Sequence, residues 1–125
     1  MLLNKNIVFE IIDTNFMDDV TACCEESVLR MDEGELGDYF EEYADKACLN
    51  TIYDINVENY EDEEVHGVQR VDGLLEIAAL ISGYADWGDE AEYIGDAEVI
   101  LGFAFSFQID AETSEAGFFE IDWEY

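Results

Sequence analysis

The chain has no proline, a single histidine, three cysteines and only four basic residues in 125. Each shortage excludes something. Without proline there is no stiff extended linker, and no low-complexity tract or repeat divides the sequence, so one domain over residues 1–125 is expected. Four Lys plus Arg cannot neutralise a phosphate backbone, and an anionic membrane surface repels such a chain, so neither is expected as a direct partner. Cys23, Cys24 and Cys48 are odd in number and two are adjacent, which suits buried thiols in a reducing compartment better than a disulfide framework. No apolar run reaches membrane-spanning length, and the start MLLNKNIVFE is interrupted too early by Asn4, Lys5 and Glu10 for a signal peptide. The expected setting is the cytoplasm.

What is present is acid. Thirty-three Asp plus Glu give a formal net charge of −29. Two carboxylates about 7 Å apart in water repel by roughly 0.6 kcal/mol before screening, so this surface is costly to hold together. Disorder would relieve the repulsion, yet half the residues are hydrophobic and there are 8 Phe, 7 Tyr and 2 Trp. Disordered acidic chains lack such apolar content. The sequence therefore describes a folded polyanion.

Residues 6–12 (NIVFEII) read as a strand with Ile7, Phe9 and Ile11 on one face, followed by capping chemistry in Asp13, Thr14 and Asn15. Met17, Val20, Cys24, Val28 and Met31 recur at helical spacing, with Asp18, Asp19, Glu25 and Glu26 outward. After DEGELGD, a second amphipathic stretch turns Leu36, Tyr39, Phe40, Tyr43 and Ala47 inward and Asp38, Glu41, Glu42 and Asp45 outward. From residue 50 the period changes to two through Tyr53, Ile55 and Val57, and an acidic loop, NYEDEEVHG, follows. A strand at 74–84 is apolar on both faces apart from Glu76 and Ser82; ADWGDEAEYIGD makes a turn; AEVILGFAFSFQI is a strand with Val99, Leu101, Phe103, Phe105, Phe107 and Ile109 on one face and Gly102, Ala104, Ser106 and Gln108 on the other; DAETSEAG is a loop; and GFFEIDWEY closes the chain as a strand with Phe119, Ile121, Trp123 and Tyr125 on its core face. The expected fold is α+β: a mainly antiparallel sheet of about four to five strands with two amphipathic helices inserted after the first strand.

Catalytic motifs are missing. His66 lies in the acidic loop without a partner set, and a thiolate nucleophile needs electropositive surroundings that this composition denies. Adjacent cysteines and one distant histidine match no zinc spacing. DINVENYEDEEV, from Asp54, starts like an EF-hand loop but has Asn59 at the glycine place and Val65 at the final glutamate place. No phosphate-binding, dinucleotide or nucleophile-elbow motif occurs. No enzyme activity, metal or cofactor is expected.

The acids have geometry instead. Glu120, Asp122 and Glu124 alternate along the last strand and would repeat about every 6.7 Å. Asp38 with Glu42, and Glu41 with Asp45, would lie roughly 6 Å apart on a helix. Glu61, Asp62, Glu63 and Glu64 crowd the acidic loop, and Asp86, Asp89, Glu90 and Glu92 crowd the turn. These spacings approach that of successive backbone phosphates, so rigid carboxylate rows suit Lys and Arg pockets that hold a nucleic-acid strand. Tyr60, Trp87, Tyr93, Trp123 and Tyr125 adjoin the acids as candidate interface aromatics.

In size, acidity and aromatic content the chain resembles the DNA-mimic proteins of phages and plasmids, which include inhibitors of restriction enzymes, of CRISPR effectors and of uracil-DNA glycosylase. The resemblance implies a stoichiometric counter-defence inhibitor docked in the basic groove of a nucleic-acid-binding enzyme, such as a CRISPR effector or restriction-type nuclease, with a homodimer left open. Three alternatives share the electrostatics: an immunity protein that neutralises a basic nuclease toxin, a generic solvation surface adapted to high salt, and an acidic chaperone for a basic protein.

Overall fold

The computed structural model describes residues 2–87 and 90–123, without the side chains of 86, 87 and 90. Helices α1 (Lys5–Asn15), α2 (Met17–Leu29) and α3 (Glu33–Gly37) come first, followed by strands β1 (Lys46–Val65), β2 (Val68–Trp87), β3 (Glu90–Asp110) and β4 (Ala116–Trp123). The strands form one sheet in the order β1-β2-β3-β4, with β3 and β4 antiparallel. This corrects the expected arrangement: the helices precede the sheet and are not inserted after its first strand.

The error begins at residues 6–12, which are helix. Ile7, Phe9 and Ile11 alternate, but Val8, Ile12 and Phe16, spaced by four, are the buried residues. A short apolar run satisfies both periods, and the end cap decides between them. Asn4 accepts a hydrogen bond from the Ile7 amide at 2.9 Å and starts α1.

Two compact units can be distinguished among the described residues. The first draws on Met1–Val20, Ile55–Glu76 and Gly102–Tyr125. Its core joins Val8, Ile12, Phe16 and Val20 to Val57, Val71 and Leu75 and to Phe103, Phe105, Phe107 and Ile109 of β3. Phe16 stacks on Phe119 at 4.5 Å and tilts against Phe107 at 5.6 Å, which seats α1 over β4. Each fully buried Phe contributes roughly 2–3 kcal/mol of transfer free energy. Gly73 is required here, because a Cβ would lie 2.8 Å from the Phe105 ring and would also meet the Asn59 carbonyl.

The second unit draws on Thr21–Asp54 and Ile77–Leu101. Cys24, Val28, Met31, Leu36 and Phe40 are buried there, as are Ile77, Ala79, Ile81, Ala85, Val99 and Leu101. Gly83 leaves space for the Phe40 ring, which a Cβ would approach to 2.7 Å.

The second long helix expected at 36–47 is replaced by the five-residue α3 and an irregular segment up to β1. Asp32 caps α3 by accepting from the Glu35 amide at 2.9 Å. Continuation would place Asp38, Glu41, Glu42 and Asp45 near the negative end of the helix dipole and beside one another at like-charge helical spacings. Leu36, Phe40 and Ala47 are buried as expected, and Ala44 with them, but Tyr39 and Tyr43 are exposed.

The acidic stretch expected as a loop at 59–67 is mostly strand. β1 continues to Val65, and a two-residue turn follows in which His66 and Gly67 have φ of 53° and 78°. Left-handed backbone at both positions matches the twist of a tight hairpin. Most of ADWGDEAEYIGD is also strand, since β2 runs to Trp87 and β3 starts at Glu90.

Candidate functional site

One carboxylate group emerges from the register of the last two strands. Phe103 pairs with Trp123 and Phe105 with Ile121, so this parity faces the core, while Ala104 pairs with Asp122 and Ser106 with Glu120 on the opposite face. Asp72 of β2 joins them: Asp72, Ala104, Ser106, Glu120 and Asp122 line a depression of about 410 Å³. All three carboxylates are exposed, and small side chains lie between them. Arg70 Nε donates to Asp72 at 3.2 Å, and the Trp123 amide donates to Asp122 Oδ1 at 2.8 Å. Glu124, the third member of the expected row, lies outside the described residues. Asp72 takes that place in the cluster, and sequence reasoning missed it because its neighbours depend on cross-strand register.

A second acidic depression, in the other unit, contains Tyr39, Glu41, Glu42, Ile94 and Asp96 and measures about 260 Å³. Glu41 and Glu42 thus share a surface, but without the helical spacing expected of them. Asp38 is the exposed C-cap of α3, and Asp45 is half-buried, its amide donating to the Tyr84 carbonyl. Asp96 is held in place: Tyr93 Oη donates to Oδ1 at 2.6 Å and Ser82 Oγ to the same oxygen at 2.7 Å, while Asn50 Nδ2 donates to Ser82 at 3.1 Å. The Tyr93 bond, then the Ser82 bond, keeps the Asp96 carboxyl below its ordinary range, and the same contact raises the Tyr93 hydroxyl. The only sequence sign of this network was Ser82, a polar interruption in an apolar strand.

Glu61, Asp62, Glu63 and Glu64 are exposed on β1, and strand alternation divides them between two faces. Asp62 accepts from the nearly buried Gln69 Nε2 at 2.8 Å. Glu92 is exposed on β3; Asp86 and Glu90 belong to strand ends, and Asp89 lies outside the described residues. Among the aromatics, Tyr93 is 55% exposed, whereas Trp123 packs on Phe103 and Tyr60 donates to the Leu3 carbonyl at 2.9 Å. Trp87 has no described side chain, and Tyr125 is outside the described residues.

Burial, reinforced by Cys23 and Glu25, pushes the Cys24 thiol up to about 12, far from a reactive thiolate. Among the described residues no three His, Cys, Asp or Glu are grouped to hold a metal ion, and the segment from Asp54 to Val65 that begins like an EF-hand loop is strand. Among the described residues no helix is long and apolar enough to cross a membrane.

No family model matches this sequence. Comparison with curated proteins and with solved structures likewise yields no match.

Proposed function

We propose that this protein is a nucleic-acid mimic that inhibits a nucleic-acid-binding enzyme, a CRISPR effector or restriction-type nuclease, by occupying its basic groove as a phage or plasmid counter-defence protein. The observation that carries the reading is the group Asp72, Glu120 and Asp122, exposed together on one face of a packed sheet. Glu120 and Asp122 are two residues apart on one strand, hence about 6.7 Å, close to the step of a phosphate backbone. A rigid sheet presents these charges without the ordering cost of a flexible acidic tail. The net charge of −29 supplies long-range steering toward a cationic groove.

The partner is then a basic protein, not nucleic acid itself, and the action is stoichiometric. The test is DNA cleavage by an RNA-guided nuclease and by a restriction enzyme, titrated with wild type and with Asp72→Lys/Glu120→Lys/Asp122→Lys. The expected result is block of one enzyme near equimolar ratio, at least about tenfold weaker for the variant, with the variant's melting temperature unchanged or higher because repulsion falls. Equal inhibition by both proteins would remove this face from the mechanism.

A further inference from the structure

Phe118 is the most exposed aromatic among the described residues, at 82%, and its φ of 56° lies in the left-handed region. A bulky L-residue is strained there, and glycine or asparagine would adopt the same backbone more easily. Gly117 stands one position earlier but does not carry the left-handed conformation. The reason is a bulge: Ser106 pairs with Glu120 and Gln108 with Gly117, so Phe118 and Phe119 together oppose the single residue Phe107. Phe119 turns inward and stacks on Phe16, and the extra residue is turned out. Bulges re-aim side chains, and strain held at a surface position directs attention to function.

The surroundings specify what the ring would meet. Phe118 lines a depression of about 210 Å³ with Val68, Gln108, Asp110 and Glu115, and the exposed Glu120 and Asp122 follow on the same strand. An uncharged apolar partner would strip water from these carboxylates without replacing it, and nucleic acid would be repelled. A protein surface that offers an apolar contact flanked by Lys or Arg satisfies both the ring and the acids. We infer that Phe118 is an apolar anchor for such a cationic protein surface, displayed by the bulge beside the Glu120 and Asp122 carboxylates. This deepens the mimic reading and rests on it for the sign of the partner's charge. It adds a contact that a phosphate backbone does not make, and so a means of choosing one basic groove over another.

The probes are a short Lys-rich peptide with a central Leu pair and its twin with a Ser pair, titrated into wild type and Phe118→Gly at low and high salt. Wild type should bind the Leu peptide about tenfold tighter than the Ser peptide. Phe118→Gly should bind both alike, at the affinity wild type has for the Ser peptide, and Phe118→Gly and Phe118→Asn should melt no lower than wild type. A Leu preference that survives in Phe118→Gly overturns the anchor alone and leaves the mimic reading intact. Lower melting temperatures in both variants also overturn it, by showing that the ring supports the fold. If neither peptide binds at low salt, the mimic reading fails, and the anchor fails with it.

Discussion

The Tyr93 hydroxyl donates a 2.6 Å hydrogen bond to Asp96 Oδ1. The contact lowers the Asp96 carboxyl from its ordinary value of 3.8 and raises the Tyr93 hydroxyl from 10.0. Because the folded carboxyl is depressed, its contribution to stability is complete above 3.8 and is lost as pH falls through the lower folded value. Because the folded phenol is raised, its contribution is complete below 10.0 and is lost as pH rises through the higher folded value. Tyr93→Phe is expected to destabilise the protein between these limits and to flatten both limbs of a plot of urea midpoint against pH. Ser82→Ala should flatten the acid limb and spare the alkaline one. Unchanged limbs in Tyr93→Phe would mean that the bond does not persist in solution.

Two glycines make a sharper test of packing. Gly83→Ala would bring a methyl to 2.7 Å from the Phe40 ring, and Gly73→Ala would bring one to 2.8 Å from Phe105 and against the Asn59 carbonyl. Each should cost about 1–3 kcal/mol, with Gly73→Ala at the upper end because a backbone oxygen cannot rotate away. Urea denaturation measures both, and a neutral Gly73→Ala would contradict the close approach of the β1 backbone and the Phe105 ring of β3 to that residue.

Salt should act on the fold and on the complex in opposite directions. Screening of 33 carboxylates relieves self-repulsion, so the melting temperature should rise with NaCl. The affinity for a basic partner should fall over the same range. A complex that tightens with salt would instead indicate apolar recognition.

The parts of the fold legible in the sequence were those with one unambiguous period. Val99, Leu101, Phe103, Phe105, Phe107 and Ile109 alternate as the buried row in the second half of β3, alternation puts Phe119, Ile121 and Trp123 on the inner face of β4, and Val20, Cys24 and Val28 mark α2 at helical spacing. Residues 6–12 were misread because Ile7, Phe9 and Ile11 compete with Val8, Ile12 and Phe16, and the deciding feature is the side chain of Asn4. The segment from Asp38 to Asp45 keeps a helical pattern of apolar residues, but its carboxylates crowd the end at which a helix tolerates them least.

The candidate site was half legible. Alternation alone puts Glu120 and Asp122 on the outer face. Asp72 acquires its neighbours from β3 and β4, and Asp96 takes one of its two partners, Ser82, from β2; no local pattern encodes those contacts. The bulge that exposes Phe118 depends likewise on pairing between β3 and β4, so a phenylalanine in an alternating aromatic strand gave no sign of its left-handed backbone.

The most direct test of the account is displacement by DNA. The protein is immobilised, host lysate is passed over it at low salt, and bound material is eluted first with duplex DNA at constant ionic strength and then with a salt gradient. The account predicts that one nuclease or nucleic-acid-guided effector leaves with the DNA and that its DNA cleavage is blocked by the free protein. A broad set of basic proteins that ignores DNA and leaves at modest salt would contradict it, because the carboxylates would then be a general polyanionic surface.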